Sequence, residues 1–159
     1  MPIPFRTPAM AATLLVGLAQ AALAGVAQPI TECPPEHRLA QPRELTAPPD
    51  EGTIREVLSY VDITGVGGLE RYVLRIRRIT VEPGGYVPLH WHNERPSVDY
   101  IVSGELVEHN SLCSVPIVHR PGDSAHRFGD FLGHWWKNEG TVPVVLLSAA
   151  VVPSTDAEF

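Results

Sequence analysis

Three histidines in two short blocks could together bind a metal ion. His90 and His92 lie in the run PLHWHNERPSVDYIVSGE, and His134 lies in GHWWKN. Side chains two residues apart on a strand project from the same face, so both imidazoles of the first block can point at one ion while Trp91 points away. His134 is distant in sequence, and folding must bring it to the pair. Neutral imidazoles bind Fe, Mn, Zn, Ni or Cu, and nothing in the sequence selects one divalent ion among these.

The two blocks resemble the two sequence blocks of the cupin superfamily, in particular its small single-domain, type-2-like members. The matching positions are Gly84, His90, His92 and Gly104 in the first block, and Gly122, His134 and Asn138 in the second. The resemblance extends from about Thr53 to Val152. It implies a single jelly-roll β-barrel and one divalent transition metal ion on the three histidines, with the glycines and Asn138 in structural roles. Cupins serve many chemistries, so the reaction is not implied.

The sequence departs from the family pattern at two places. Ser97 stands where the family has a glutamate, and Gly129 and Phe131 stand where it has Pro-x-Gly, so we expect a different turn there. A serine hydroxyl is a poor ligand beside three imidazoles, which leaves more coordination positions open. Alternatively, Asp99, which shares strand parity with Ser97, or Glu94 in the preceding loop replaces the missing carboxylate. Asp99 could instead orient an imidazole N–H or act as a base.

Strand parity also selects candidate pocket residues. Tyr86 and Pro88 are in phase with His90 and are expected to form the pocket mouth, and Ser97 is expected to line the pocket. Trp136 is in phase with His134, so it should face the interior as pocket wall or as core, while Trp135 faces away. The histidines that match no family position are expected on the surface or in hydrogen bonds: His109, His119 and His126.

Composition favours one globular, turn-rich domain. Of the 159 residues 44% are hydrophobic, and the 16 prolines and 13 glycines suit short strands joined by turns. The net charge of −6 without a basic block argues against nucleic acid as a partner. We therefore expect a small-molecule partner, and a homodimer is left open.

Alternating short segments predict an all-β fold. The alternation in Tyr72–Val81 shifts phase near Arg78 and Ile79, which indicates a bulge or a bend. No run beyond the first segment has helical periodicity over about twelve residues. The predicted strands are Ile54–Ile63, Tyr72–Val81, Tyr86–His92, Val98–Ser103, Leu106–His109, Val115–Arg120, Gly133–Asn138 and Pro143–Val152. Eight short strands with close turns are typical of a jelly roll or sandwich.

The chain is predicted to divide into four segments. Residues 1–24 read as a secretory signal peptide, with Arg6, the apolar stretch Met10–Ala24 and a small-x-small site at its end. The stretch is too short for an ordinary membrane span, although a retained anchor is the alternative. Residues 25–52 are a Pro-rich extended arm, 53–152 the barrel and 153–159 a tail. The predicted location is periplasmic or secreted.

Export changes the interpretation of the two cysteines. Cys33 and Cys113 both follow the predicted cleavage site, and two thiols in an oxidising compartment are a candidate disulfide. Two separate thiols are the alternative, because a bridge needs Cα atoms within about 7 Å.

Together these features favour an exported enzyme acting on a small molecule by metal-dependent oxygenation or Lewis-acid rearrangement, as a dioxygenase or an isomerase. In this hypothesis the three histidines hold the ion and Asp99 is the candidate base. A non-catalytic protein that binds a small ligand or metal, and a structural cupin whose site has decayed, are the alternatives.

Overall fold

The fold was obtained as a computed structural model, which describes residues 32–46 and 49–157. The predicted signal peptide, residues 1–24, lies outside the described residues. The eight strands are β1 (Glu51–Asp62), β2 (Tyr72–Trp91), β3 (Ser97–Ser103), β4 (Leu106–Asn110), β5 (Ile117–His119), β6 (Ser124–Arg127), β7 (Gly133–Lys137) and β8 (Val144–Pro153). Two short 3-10 helices, Pro35–His37 and Ser154–Asp156, flank the strands.

The strands form a nearly closed antiparallel barrel, so the predicted all-β fold is confirmed. They follow the order β5-β4-β7-β2-β8-β3-β6, and β1 pairs with β2 beside this path. The long strand β2 is central, because its first half pairs with β8 and its last part with β7. This pairing puts the end of β2 next to β7, the two elements that carry the histidine blocks.

The structure corrects the predicted break within β2. Pro83, Gly84 and Gly85 lie inside one continuous strand of 20 residues, not in a turn between two strands. Gly84 takes a φ of 79°, a conformation that glycine adopts without steric cost, and β1 pairs across this point with a register shift. The chain therefore bends here without ending the strand.

The bulge predicted at Arg78 and Ile79 was placed on the wrong strand. Residues 72–81 pair with β8 in an unbroken register, and the irregularity lies in β1, between Val57 and Ser59. The alternation of β2 changes only if arginine is taken to be an outward-facing residue. In fact Arg75 and Arg77 are buried on the same inner face as Val73.

Sequence patterning also missed β6. Its four residues, Ser-Ala-His-Arg, offer little apolar alternation, since the inward positions are Ala125 and Arg127. The neighbouring strand predicted at Val115–Arg120 is shorter, Ile117–His119. Because some of the inward positions here are polar, hydrophobic periodicity does not identify this part of the barrel.

The interior contains a polar layer between two apolar clusters. Along β8, Val144 and Leu146 belong to a large cluster, Ser148 is a buried polar residue, and Ala150 and Val152 belong to a smaller cluster. The inward side chains of the neighbouring strand β2 follow the same order, with apolar residues on either side of polar ones. Charged side chains are rarely buried without partners, so polar contacts and not apolar packing must hold this layer together.

The described part of the N-terminal arm is attached to the segment after β4. Cys33 and Cys113 are joined by a disulfide with Cα atoms 5.7 Å apart. Backbone hydrogen bonds run from Leu39 N to Leu112 O and from Ser114 N to His37 O, both 2.9 Å. The disulfide and these hydrogen bonds therefore anchor the arm beside the end of β4.

Candidate functional site

Three imidazole nitrogens converge at one point inside the barrel. His134 Nε2 lies 2.9 Å from His92 Nε2 and 3.0 Å from His90 Nε2. Pairing of β2 with β7 places His90 directly opposite His134, and His92 follows two residues later at the end of β2. The structure therefore brings together all three histidines that the sequence singled out.

Two of the rings have their protonation fixed by backbone carbonyls. His90 Nδ1 donates to Pro88 O at 2.9 Å, and His92 Nδ1 donates to Arg95 O at 2.8 Å. A carbonyl oxygen can only accept, so Nδ1 carries the proton in each ring and the Nε2 lone pair faces the other imidazoles.

The third ring has two neighbours at the same nitrogen. His134 Nδ1 lies 3.0 Å from Glu108 Oε1 and 2.6 Å from Trp136 Nε1. One ring nitrogen cannot donate to the carboxylate and accept from the indole at once. With Nδ1–H donated to Glu108, the Nε2 lone pair of His134 joins the other two. This is the tautomer of a metal ligand, and a carboxylate is the usual partner of a ligating imidazole.

Glu108 is a functional residue that sequence reasoning missed. Its carboxylate is fully buried on β4 and also accepts hydrogen bonds from Asn110 Nδ2 at 2.9 Å, His119 Nε2 at 2.7 Å and the Arg127 guanidinium. Burial alone would raise its pKa, but Arg127 and the two imidazole donors hold the pKa of Glu108 well below its usual value. Glu108 is thus an anion that fixes the orientation of His134. The available signal was its position two residues after the apolar Leu106 on a predicted strand, which puts both side chains on the same face.

The donor set fits a divalent ion. Burial, the main cause, lowers the pKa of His90 and of His92 to about 4, and it lowers that of His134 well below its usual value. All three imidazoles are therefore neutral at pH 7. Metal–nitrogen bonds of about 2.1 Å at right angles separate two donor atoms by about 3 Å. The separations of His134 Nε2 from the other two Nε2 atoms match this value, and the three donor atoms all lie within 4.8 Å of one another.

The histidines form one wall of a cavity of about 200 Å³. Ser97 and Asp99 line it from β3, and Trp136 lines it from β7. Ser97 Oγ is 3.5 Å from His92 Nδ1, on the side of that ring away from the other histidines. Asp99 is buried and hydrogen-bonded to Ser148, and burial raises the pKa of its carboxyl group. Asp99 is therefore a carboxyl group of the cavity wall beside the histidine cluster.

The structure corrects the placement of Tyr86. Its ring packs near Trp135, with centroids 6.0 Å apart, and Lys137 lies over it, so Tyr86 is on the outer face of the sheet. Tyr86 and His90 were expected on one face because an even number of positions separates them. They lie on different faces because the register of β2 against β7 shifts between Val87 and His90. Val87 lines the cavity where Tyr86 was expected.

The other candidates have distinct surroundings. Glu94 is exposed and is not among the cavity-lining residues. His119 is buried against Glu108, His109 stacks on Trp135 with ring centroids 3.9 Å apart, and the exposed His126 lies 3.2 Å from Glu32. These positions agree with the expected surface or hydrogen-bonded roles.

Gly84 lies within β2, and the family's other structural positions, Gly104, Gly122 and Asn138, lie between strands. Asn138 Nδ2 donates to Val81 O and Val142 O, both 2.8 Å, and its Oδ1 accepts from Gly140 N. Gly104 has a φ of 77°, and a Cβ there would lie 2.8 Å from a Val144 methyl carbon. Gly122 has a φ of 93°. Phe131 has a positive φ of 64°, so the turn before His134 is made by a residue that rarely adopts this conformation.

Comparison with known proteins decides the family. A family model described as cupin matches residues 46–158, which is more than half of the chain. The chain belongs to the cupin family. The sequence has no significant match among curated proteins.

Solved cupin structures resemble it at low identity. A sugar phosphate isomerase from Silicibacter pomeroyi is 26% identical over 64% of this chain and 60% of that chain, with a TM-score of 0.45. The cupin domain of an XRE family transcriptional regulator from Enterobacter cloacae is 19% identical over 65% of this chain and 99% of that chain, with a TM-score of 0.50. A predicted oxalate decarboxylase from Thermotoga maritima is 27% identical over 49% and 65%, with a TM-score of 0.43. The matches thus span less than two thirds of the Silicibacter and Thermotoga chains.

No helix among residues 32–46 and 49–157 has the length and apolar character needed to cross a membrane.

Proposed function

We propose that the histidine-lined cavity is the active site of a metal-dependent enzyme that acts on a small molecule, by Lewis-acid rearrangement or by oxygenation. One observation carries the proposal. His90 and His92 donate from Nδ1, and with His134 Nδ1–H donated to Glu108 all three Nε2 lone pairs face one another, with His134 Nε2 2.9 Å from His92 and 3.0 Å from His90. Lone pairs at such distances repel one another unless a cation lies between them. The burial of these rings would be costly without it.

His90, His92 and His134 would hold the ion, and Glu108 would orient the third ligand. A divalent ion bound there would polarise an oxygen atom of the substrate. Ser97 supplies no carboxylate ligand, so coordination positions stay free for that oxygen. The metal can be Fe, Mn, Zn, Ni or Cu, all of which accept imidazole ligands.

Asp99 is the proposed base. Its carboxyl group lines the same cavity and is not one of the three grouped metal donors. Burial raises the pKa of this carboxyl group, which makes its carboxylate a stronger proton acceptor. The hydrogen bond with Ser148 holds it in place on the wall formed by β3 and β8.

The test is turnover by the metal-loaded protein across panels of small isomerase and oxygenase substrates. Asp99→Asn should abolish activity while metal content is retained, and Glu94→Gln, a nearby exposed carboxylate, should leave activity unchanged. If both variants retain full activity, Asp99 has no part in the reaction. Loss of metal in Asp99→Asn would make it a ligand instead of a base.

The replacement of the family's glutamate by Ser97 supports a second candidate, a cupin that captures a small ligand or the metal without turnover. Calorimetry that detects tight ligand binding, together with absence of any product over long incubation, favours this alternative. A structural cupin with a decayed site is supported only if the purified protein neither binds metal nor any small ligand.

Export to the periplasm or the medium is also proposed. It is supported by the Cys33–Cys113 disulfide, because such bonds persist in oxidising compartments, and by the apolar stretch Met10–Ala24. Sequencing of the mature N-terminus should find it near Gly25 or Gln28. A cytoplasmic protein with an intact first segment would contradict this. The homodimer stays a prediction.

A further inference from the structure

The cavity that holds the histidines is also lined by three arginines. Arg55 comes from β1, Arg77 from β2 and Arg95 from the loop between β2 and β3. Arg77 is buried, whereas the side chain of Arg55 is about a quarter exposed, at 25%. Three guanidinium groups from three separate elements thus face one small space.

The cavity wall holds two acidic residues beside its three arginines. Asp50 is engaged by Arg55, with Oδ2 at 2.6 Å from Nη1 and Oδ1 at 3.2 Å from Nη2. Asp99 is the other acidic residue of the wall, and its charge offsets part of the charges of Arg77 and Arg95. Asp156 offsets part of the charge of Arg95 from outside the cavity lining. A divalent ion on the histidines would add further positive charge.

The cavity arginines repel one another. Burial, followed by repulsion from Arg75, Arg95 and Arg55, lowers the pKa of Arg77 to about 10. An anion bound among these guanidinium groups would relieve that repulsion.

The loop that carries Arg95 links the two groups directly. The backbone oxygen of Arg95 accepts the hydrogen bond that orients His92, at 2.8 Å, and its side chain lines the cavity. A ligand held by this guanidinium therefore lies beside the histidine cluster. Arginine presents a planar pair of N–H donors that matches the oxygens of carboxylate and phosphate groups.

We propose that this cavity binds a small oxyanion, a carboxylate or phosphate group of the substrate, through Arg77 and Arg95, with Arg55 at the edge. The cavity of about 200 Å³ has room for roughly six or seven water volumes, so the ligand is small. The inference rests on the proposed function in one respect, because only an enzyme would make the bound oxyanion part of a substrate. Binding of the anion itself needs no metal.

The test is calorimetry with the mature chain, as purified and after EDTA treatment, using malonate and inorganic phosphate as probes and glycerol as a neutral control. We expect both forms to bind at least one oxyanion and neither to bind glycerol. Arg95→Gln should weaken binding about tenfold or more, because hydrogen bonds to charged groups are among the stronger ones. Arg77→Gln should do the same.

Arg78→Gln is the matched control. Arg78 is the neighbour of Arg77 in sequence but lies on the outer face, paired with Glu56 at 3.0 Å, so its loss should leave the affinity unchanged. Stronger binding of malonate than of phosphate would assign the ligand as a carboxylate, and the reverse order would assign it as a phosphate.

Three results would overturn the inference. These are absence of oxyanion binding to either form at millimolar concentration, unchanged affinity in Arg95→Gln, and equal loss in Arg78→Gln. If Arg77→Gln fails to fold, Arg95→Gln in the loop decides the question alone. Anion binding by a protein that takes up no divalent ion under any loading condition would refute the proposed enzyme while supporting this inference, so the two failures are distinguishable.

Discussion

Glu108→Gln tests the buried network behind the histidines. The carboxylate accepts hydrogen bonds from His134, His119, Asn110 and Arg127, and the residue is fully buried. A glutamine has nearly the same shape but no charge and a single oxygen. It cannot accept from all four donors, and it leaves the Arg127 guanidinium buried without its counter-ion.

The expected effects are large. Loss of one partner from a buried ion pair costs about 3–5 kcal/mol, a substantial part of the roughly 5–15 kcal/mol that stabilises a typical domain. We expect the unfolding free energy of the metal-free protein to fall by about 3 kcal/mol or more. Since the hydrogen-bond partner of a ligating imidazole contributes to metal binding, affinity should also fall by about 10–100-fold.

Urea denaturation followed by tryptophan fluorescence measures the first effect, and competition with a chromophoric chelator measures the second. Glu56→Gln is the control, because Glu56 pairs with Arg78 on the surface and such pairs contribute about 0–1 kcal/mol. Arg127→Met added to Glu108→Gln should recover part of the stability by removing the unpaired charge. The reasoning is refuted if Glu108→Gln costs no more than Glu56→Gln and keeps full metal affinity.

Three further predictions concern the cavity and the arm. Ser97→Glu should slow metal release to a chelator by adding the family's carboxylate and should lower any activity that needs open coordination positions; faster release would contradict this. For Asp99, burial raises the folded pKa, so stability falls as pH rises above the unfolded value of about 4, and Asp99→Asn should gain unfolding free energy relative to wild type across that range. A stability difference that is independent of pH would contradict this sign. Cys33→Ser should lower the unfolding free energy by about 4–5 kcal/mol, because the bridge to Cys113 closes a loop of 80 residues; a loss under about 1 kcal/mol in urea denaturation would show that the bridge contributes little.

The sequence was sufficient to predict the barrel and the convergence of the histidines. Alternation and turn residues indicated the strands, and the spacing of His90, His92 and His134 matched a known family. Parity also placed Trp136 inside the barrel, where the structure has it lining the cavity. These features depend on local sequence patterns, which can be recognised without knowing how the strands pair.

Features that depend on strand pairing could not be predicted. Glu108 becomes a partner of His134 only because β4 lies beside β7. Arg77 lies in the predicted strand Tyr72–Val81, but nothing in the sequence showed that its side chain faces the interior. Tyr86 was misplaced because a register shift interrupts parity, and such irregularities are set by the partner strand.

The central claim is that the three histidines hold one divalent ion. Elemental analysis of the protein purified from its own compartment, compared with a His90→Ala/His92→Ala variant of equal fold content by circular dichroism, tests it most directly. The account predicts about one equivalent of a transition metal in the wild type and less than about a tenth of that in the variant. Equal metal content in the two proteins, or a wild type that takes up no divalent ion under any loading condition, would contradict it.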